Sequence, residues 1–310
     1  MNKESLKTFV EENPKLVTNR PSTSYPELSV LKYSKQVFYK NLWNDYLEYC
    51  RGTVIDKDYN LISAPPLKIY NYGVEERSPK IDPETKVTAY RKVNGFLVCL
   101  TWYNKDILVS TTGSLDSDFV GYAKEMMLTH MKWEDWQIAL NTNSDYTFFF
   151  ECVHPEDPHV IPEKNGMYLL GFREKSWDSE IKLYGTEMAD MLKDFAKDTF
   201  NCFYAESYHM TMVELQSTVK SVKHEGYVVY AEDGKCAKIK SPWYLVNKWV
   251  ARNPNTDKLV DLKNDIKKNV DEEYYGLIDT IRLNIEEYTA LSEQDRLQWV
   301  RRYFEKEIKK

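Results

Sequence analysis

One lysine of the chain stands in a setting that allows it to act as a nucleophile. Lys92 opens the string Lys92-Val93-Asn94-Gly95, between two stretches with the composition of β-strands. A lysine amine attacks only after it loses its proton. Its ordinary pKa of about 10.4 means that burial, neighbouring lysines or a metal ion must assist that loss. The string alone is typical of an ordinary turn, so the assignment of Lys92 depends on residues elsewhere in the chain.

Two further lysines, Lys238 and Lys240, alternate along a predicted strand and therefore point to the same face of it. Like charges on one face repel each other unless an anion lies between them, and the phosphates of a nucleotide would be such an anion. A solvated strand face is the alternative interpretation. Together, Lys92 and the lysine pair indicate an amine that attacks a nucleotide α-phosphate and carries the nucleotide covalently.

Two glutamates are candidate metal ligands. Glu151 interrupts an apolar run, where a carboxylate is costly unless it is paired or functional. It could bind magnesium or the ribose of a nucleotide, although strand alternation favours an edge strand with Glu151 directed to solvent. Glu225 precedes Gly226, so its carboxylate can approach a ligand without crowding. A plain turn is the alternative interpretation of this second glutamate.

Three residues upstream of Lys92 are candidates for nucleotide contacts. Arg51 opens a predicted strand, and its planar guanidinium suits phosphate recognition. Lys68 lies shortly before Tyr70 in the chain. The ring of Tyr70 could stack on an adenine or lie in the core, and the core is the favoured interpretation.

The composition limits the class of protein. The chain has 310 residues, 42% of them hydrophobic, which allows one large domain and a small one. A net charge of −6 argues against a protein that coats nucleic acid nonspecifically, but it allows a local basic groove. The five cysteines stand singly and no apolar run is long enough to cross a membrane. We therefore expect a soluble, monomeric protein of the cytoplasm.

Strand and helix signals separate along the chain. Predicted strands are 51–56, 86–92, 96–103, 106–110, 146–153, 167–173, 226–231 and 235–240. Helical periodicity marks 116–131, 186–199 and 208–222 and, beyond Pro242, marks 243–249, 256–270, 271–284 and 292–309. These signals predict an α+β fold in which residues 1–244 form one domain and residues 245–310 form a small all-helical domain.

In this order the motifs resemble those of the ATP-dependent ligases and capping enzymes, and most closely those of the phage-type RNA ligase 1 family. The resemblance extends over residues 33–244. The matching strings are Glu48-Tyr49-Cys50-Arg51-Gly52, Lys68-Ile69-Tyr70-Asn71, Lys92-Val93-Asn94-Gly95, Thr112-Gly113-Ser114, Phe149-Phe150-Glu151, Leu169-Leu170-Gly171-Phe172-Arg173, Glu225-Gly226-Tyr227-Val228 and Lys238-Ile239-Lys240-Ser241-Pro242-Trp243-Tyr244. Two positions depart from the family pattern. Thr112 stands where a lysine is frequent, so a phosphate contact is absent or moved, and Asn94 stands where an acidic residue is frequent.

The resemblance implies a nucleotidyltransferase (adenylyltransferase) domain with central antiparallel sheets over residues 1–244 and an RNA ligase reaction in three steps. Lys92 would take AMP from ATP, the AMP would pass to an RNA 5′-phosphate, and an RNA 3′-hydroxyl would then attack and release AMP. By the same resemblance, Glu151 and Glu225 would bind Mg²⁺ or Mn²⁺. The residues implied to bind ATP are Arg51, Lys68, Tyr70, Gly95, Glu151, Lys238 and Lys240.

The implied substrate is RNA with 5′-phosphate and 3′-hydroxyl ends, single-stranded or in a broken loop such as that of a tRNA. The enzyme would act in the host cytoplasm if a phage encodes it, and its helical tail would bear on the choice of RNA. A DNA ligase or a capping guanylyltransferase is the nearest alternative. The tail lacks the sequence signal of a five-stranded OB-fold, which argues against both of these enzymes. The other alternative is a nucleotide-dependent RNA-binding module without turnover.

Overall fold

The computed structural model describes residues 1–157, 159, 161–252, 259, 265–270 and 272–307. The chain divides into two compact units, each assembled from separate stretches of sequence. Unit 1 comprises Met1–Val37, Trp43–Lys68 and Val93–Ser207, and unit 2 comprises Phe38–Leu42, Ile69–Lys92 and Tyr208–Lys310. The predicted domain division after residue 244 falls inside unit 2, and it stays a prediction about function.

The fold combines helices with three sheets. The strands are β1 (Val17–Pro21), β2 (Leu28–Tyr33), β3 (Arg51–Asp56), β4 (Leu61–Ser63), β5 (Lys86–Arg91), β6 (Phe96–Tyr103), β7 (Asp106–Thr111), β8 (Tyr146–Val153), β9 (Gly166–Glu174), β10 (Phe203–Tyr204), β11 (Ser207–Thr211), β12 (Gly226–Ala231) and β13 (Cys236–Lys240). The helices are α1 (Lys3–Glu12), α2 (Lys35–Tyr39), α3 (Asp45–Tyr49), α4 (Asp118–His130), α5 (Trp133–Thr142), α6 (Thr186–Asp194), α7 (Met212–Thr218), α8 (Pro242–Arg252), α9 (Tyr275–Leu283), α10 (Ile285–Ala290) and α11 (Glu293–Glu307). Short helical turns occupy Phe195–Thr199, Ile266–Asn269 and Glu272–Tyr274.

The sheets divide between the units. Unit 1 holds a sheet in the order β1-β2-β3-β4 and another in the order β10-β9-β8-β6-β7, and unit 2 holds the sheet β11-β5-β12-β13. The long ladders are antiparallel, namely β8 with β6 and β9, and β12 with β5 and β13, whereas β10 runs parallel to β9. The predicted α+β class with antiparallel sheets is confirmed.

Aromatic side chains fill the core of unit 1. The strand β8 lies in the middle of its sheet and is buried on both faces. The rings of Phe148 and Phe150 lie 4.9 and 5.6 Å from that of Phe200, and Trp136 stacks on Phe200 at 5.3 Å. These contacts bury a large apolar area and fix the strand that carries Glu151.

An aliphatic core holds the sheet of unit 2 against α7. Val229 of β12 pairs with Ala89 of β5 and Ala237 of β13, and all three pack with Met212 and Leu215 of α7. Because alternate residues of a strand face opposite sides, this core determines the face of β13 on which the two lysines lie.

The described part of the chain beyond β13, up to residue 307, consists of helices and short connections, with no strand among its described residues, as predicted. Trp249 of α8 packs against Tyr274, with the ring centroids 5.3 Å apart, and the Tyr274 hydroxyl donates to the Leu245 carbonyl at 3.1 Å. The segment Glu272–Tyr274 is therefore anchored on α8. None of the described helices has the length and apolar character needed to span a membrane.

Most predicted elements are confirmed. The strands predicted at 51–56, 96–103, 146–153 and 226–231 match the structure at both ends. The others differ by one residue at one end, or at both ends for the strand predicted at 167–173. The helix predicted over 208–222 is wrong at its start, because β11 extends to Thr211 and α7 begins at Met212. Thr211 and Glu214 form a capping box that starts the helix there. The helix predicted over 256–270 lies for the most part outside the described residues.

Candidate active site

Lys92 follows directly after β5 in unit 2 and faces a buried carboxylate. Its backbone N–H donates to the Gly226 carbonyl at 2.9 Å, which continues the pairing of β5 with β12. Its Nζ lies 3.1 Å from Oε2 of Glu225, a residue that is 3% exposed. The sheet therefore brings together two predicted site residues that are far apart in sequence.

Glu225 bridges two of the predicted lysines. Its other oxygen, Oε1, lies 3.5 Å from Nζ of Lys240. Burial alone would raise the pKa of the Glu225 carboxyl, but the ammonium groups of Lys92 and Lys240 hold this pKa below its ordinary value. Glu225 is thus an ionised group inside the protein, which contradicts its interpretation as a plain turn residue.

The lysine pair lies on one face of β13, as its spacing predicts. Lys238 and Lys240 alternate with Ala237 and Ile239, which are buried in the apolar core of unit 2. The side chains of Lys238 and Lys240 are only 22% and 10% exposed. A solvated strand face, the alternative interpretation, is therefore wrong. The N–H of Lys238 also donates to the Tyr70 carbonyl at 2.9 Å.

Carboxylates of the helical tail supply the anion that the lysine pair requires. Glu273 accepts a hydrogen bond from Nζ of Lys240 and lies 3.8 Å from Nζ of Lys248. Glu272 lies 3.7 Å from Nζ of Lys238. Burial opposes ionisation of Glu273, but the surrounding lysines hold its pKa well below the ordinary value. In this structure, negative charge occupies the place that the sequence predicts for phosphates.

A cavity of about 250 Å³ in unit 2 opens beside these groups. Its lining includes Asn71, Lys238, Lys240, Glu272 and Glu273. The side-chain amide of Asn71 donates to Glu272 at 2.9 Å, and its backbone N–H donates to Glu75 at 2.8 Å. The volume is below the range of about 300–1,000 Å³ that is usual for small-molecule sites.

Glu151 lies in unit 1 and is buried, with 8% exposure. Its Oε1 accepts a hydrogen bond from the backbone N–H of Gly95 at 3.1 Å. The favoured sequence interpretation, an edge strand with Glu151 directed to solvent, is wrong because β8 is a central strand covered on both faces. A β-carbon on Gly95 would overlap the Cys152 carbonyl oxygen, so a glycine is required where the chain passes Glu151.

The other predicted nucleotide contacts have definite surroundings. In unit 1, Arg51 donates from Nη1 to the Leu67 carbonyl at 3.2 Å. Lys68 is buried, with its Nζ 4.5 Å from the centroid of the Trp43 ring. Tyr70, in unit 2, is 6% exposed, which agrees with the core interpretation of its ring. The roles of these residues in binding ATP stay predictions.

The sequence interpretation missed Glu272, Glu273 and Lys248 as members of the site. No local signal could have found them, because acidic pairs on helical segments are usually solvated and the tail carries many charges. Their contacts with the lysines depend on how the tail packs on α8, which periodicity does not reveal.

The site residues that the sequence predicts all lie within a region that matches a known family. A family model described as RNA ligase matches residues 49–244, which is more than half of the chain. The chain belongs to the RNA ligase family. The match begins just before Arg51 and ends at Tyr244, so it includes Lys92, Glu225 and the lysine pair.

Relatives agree with this membership. An RNA ligase of Rhodothermus phage RM378 is 24% identical over 276 residues, covering 69% of this chain and 63% of that protein. The chain thus spans less than two thirds of the length of this curated relative.

Solved structures agree in fold. An archaeal ATP-dependent RNA ligase superposes with a TM-score of 0.58 at 13% identity, covering 97% of this chain and 77% of that one. A protein from Aquifex aeolicus described as an ATP-dependent DNA ligase superposes with a TM-score of 0.56 at 17% identity, covering 96% of this chain and 77% of that one. Both likenesses show that this RNA ligase family member has the nucleotidyltransferase fold.

Proposed function

We propose that the protein is an ATP-dependent RNA ligase that joins 5′-phosphate and 3′-hydroxyl RNA ends through an AMP carried on Lys92. The observation that carries this proposal is the buried ion pair of Lys92 with Glu225 beside the lysine pair of β13. Membership of the RNA ligase family supports it. Structural ion pairs also occur in protein cores, but a buried carboxylate shared by two lysines is expensive to maintain without a function.

The first step transfers AMP to the protein. The lone pair of Lys92 Nζ forms a bond to the α-phosphorus, and the bond from that phosphorus to the bridging oxygen breaks and releases pyrophosphate. The proton that leaves Nζ has an acceptor 3.1 Å away in the Glu225 carboxylate. Lys238 and Lys240 would stabilise the negative charge that develops on the phosphates.

The two following steps move AMP to RNA and then release it. A 5′-phosphate oxygen of the RNA attacks the phosphorus of the lysyl adduct, and the bond to Nζ breaks. A 3′-hydroxyl then attacks the RNA 5′-phosphorus, which forms the new phosphodiester bond and releases AMP. Each step replaces one bond to phosphorus by another. Nζ regains its proton as its bond to phosphorus breaks, and the 3′-hydroxyl gives up its proton as it attacks, so catalysis adds these proton transfers to positioning and charge stabilisation.

A divalent cation, Mg²⁺ or Mn²⁺, would neutralise phosphate charge in these steps. No group of three or more acidic, histidine or cysteine side chains suited to a metal occurs in the part of the chain that the structure describes. Glu151 in unit 1 and Glu225 in unit 2 each present a single carboxylate, which suits a cation that arrives with the nucleotide and keeps most of its ligands from phosphates and water. Each residue would offer one ligand to such a cation.

The RNA end would be single-stranded or lie in a broken loop such as that of a tRNA. We propose that the protein acts as a monomer in the cytoplasm, of the host cell if a phage encodes it. All five cysteines are free, which supports a reducing compartment.

Sealing assays with three substrates test the proposal. A 5′-phosphorylated single-stranded RNA, a nicked DNA duplex and a capping substrate with GTP are each incubated with the protein and a divalent cation. ATP-dependent circularisation of the RNA is expected, with little sealing of DNA and no cap transfer. Efficient sealing of the nicked DNA, or transfer of GMP to the capping substrate, would overturn the proposal. So would a protein that binds RNA but turns over none of the three substrates.

A further inference from the structure

The turn after β7 raises the question of a missing phosphate contact. The turn comprises Thr112, Gly113 and Ser114, and it is closed by hydrogen bonds from the N–H and Oγ1 of Thr111 to the Ser114 carbonyl at 3.0 and 3.1 Å. By the resemblance of its motifs to those of the RNA ligase 1 family, a lysine is expected where Thr112 stands. A threonine cannot supply the positive charge of that lysine, so another residue must do so if the charge is needed.

A close approach brings β3 against this turn. Gly52 has a φ of +103°, which only glycine adopts readily, and a β-carbon there would lie 2.8 Å from Thr112 Cα. The pairing of β2 with β3 shifts register at this point, so that Lys32 pairs with Arg51. The irregularity places two basic side chains side by side at the turn, as β-bulges do near functional sites.

Two basic side chains, Lys32 and Arg20, reach the turn within unit 1, and Arg51 lies beside Lys32 as its partner in the β2–β3 ladder. The Cδ, Cε and Nζ atoms of Lys32 each lie 3.8 Å from the position of a β-carbon on Gly113. Arg20 donates from Nη1 to the Gly113 carbonyl at 3.0 Å. Among the described residues, no carboxylate forms an ion pair with Lys32, Arg20 or Arg51. The Lys32 ammonium makes a cation–π contact with the ring of Tyr33.

Such a cluster is unfavourable by itself. Burial, and then the charges of Arg51 and Arg20, lower the pKa of Lys32 to about 8. The nearby carboxylate of Asp116 is engaged by the β1–β2 turn, where it accepts hydrogen bonds from Ser22 and Ser24 at 3.0 Å. The arrangement has the charge of a site for an anion, and no carboxylate among the described residues of unit 1 forms an ion pair with it.

We propose that Lys32, together with Arg51 and Arg20, binds a phosphate group of the substrate at the Thr112–Ser114 turn and replaces the lysine that the family often carries at position 112. The inference rests on the proposed function for the source of the phosphate, which is either the nucleotide or the 5′ end of the RNA. Its chemistry is that of phosphate oxygens held by one ammonium and two guanidinium groups.

Four variants test the assignment. Lys32→Ala removes the charge, Lys32→Arg retains it, and Lys32→Ala with Thr112→Lys returns a lysine to the position that the family uses. Lys35→Ala, an exposed lysine three residues on, is the matched control. Unfolding curves establish that each variant is folded.

Three measurements separate the sources of phosphate. They are the KM for ATP in self-adenylylation, the KM for 5′-phosphorylated RNA in transfer from isolated enzyme-AMP, and the Kd for inorganic pyrophosphate by calorimetry. We expect Lys32→Ala to weaken at least one of these constants by about tenfold to hundredfold, the scale of one hydrogen bond to a charged group. A change in the ATP and pyrophosphate constants identifies the nucleotide, and a change confined to RNA identifies the 5′-phosphate.

The proposal also predicts that Lys32→Arg and the double variant recover most of the loss. Three unchanged constants in Lys32→Ala, or a loss that Thr112→Lys does not relieve, would overturn it. Failure of the wild-type protein to form enzyme-AMP would count against the proposed function alone. The calorimetric comparison needs no turnover, so a weaker Kd for pyrophosphate in Lys32→Ala would support the role of Lys32 even then.

Discussion

At the scale of single residues, the site depends on charges that compensate each other inside the protein. Lys92 and Lys240 share the carboxylate of Glu225, which is nearly inaccessible to solvent. An ion pair favours the charged ammonium over the neutral amine, so attack on a nucleotide requires that this pair opens or that Glu225 takes the proton. Glu225 is thus the residue whose removal should affect the first step most directly.

We expect Glu225→Gln to slow adenylylation of the protein by about 10²-fold or more, the scale of losing one preorganised electrostatic contact. Single-turnover transfer from α-labelled ATP measures the rate. Glu187→Gln, on the exposed face of α6, is the control and should leave it unchanged. A normal rate in a folded Glu225→Gln protein would mean that the carboxylate serves structure only.

At the scale of elements, two glycine-dependent approaches bring loops against strands. Gly52 lets β3 pass the Thr112 turn, and Gly95 lets the chain after Lys92 pass β8 beside Glu151. At either glycine, a residue with a β-carbon would push apart the two segments that now lie in contact.

Gly52→Ala tests the first approach. Gly185→Ala is matched to it in backbone conformation, with a φ of +99° against +103°, but a β-carbon on Gly185 meets no atom within 4 Å. Both changes should lose about 1–3 kcal/mol of unfolding free energy from backbone strain. Gly52→Ala should lose measurably more in urea titrations, because Thr112 must also move. Equal losses in the two variants would show that the close approach contributes nothing.

The strands could be predicted from sequence because their signals are local. The stretch 96–103 is rich in β-branched and aromatic residues and ends at a turn, so its bounds follow from composition. The orientation of Glu151 could not be predicted, since alternation does not tell a central strand from an edge strand. The start of α7 is set by the capping box of Thr211 and Glu214. The helical periodicity extended N-terminal of that box, so the predicted helix began too early.

At the scale of the whole molecule, the helical tail is tied to the chemistry by charge. Glu272 and Glu273 come from the segment that sequence periodicity assigned to a separate small domain, yet they pair with Lys238 and Lys240 in unit 2. Long-range pairing of this kind leaves no mark on local sequence patterns. Because these carboxylates pair with the lysines that we propose bind phosphate, we propose that tail carboxylates and substrate phosphates compete for Lys238 and Lys240.

Glu273→Gln tests this competition. Replacing the carboxylate by an amide removes the competing charge, so the KM for ATP in adenylylation should fall by about tenfold, the scale of one charge-assisted hydrogen bond. Glu287→Gln, exposed on α10, is the control. A lower kcat with an unchanged KM would instead make Glu273 a member of the catalytic machinery.

We propose that Lys92 carries AMP, and peptide mapping of the protein after incubation with ATP and a divalent cation locates the residue that is modified. We expect one AMP adduct, located by tandem mass spectrometry on Lys92. In Lys92→Ala, the adduct should be absent, and an unfolding curve shows that the protein is still folded although Glu225 has lost one of its two lysine partners. An AMP adduct in Lys92→Ala, or one located on Lys238 or Lys240 in the wild type, would contradict the account.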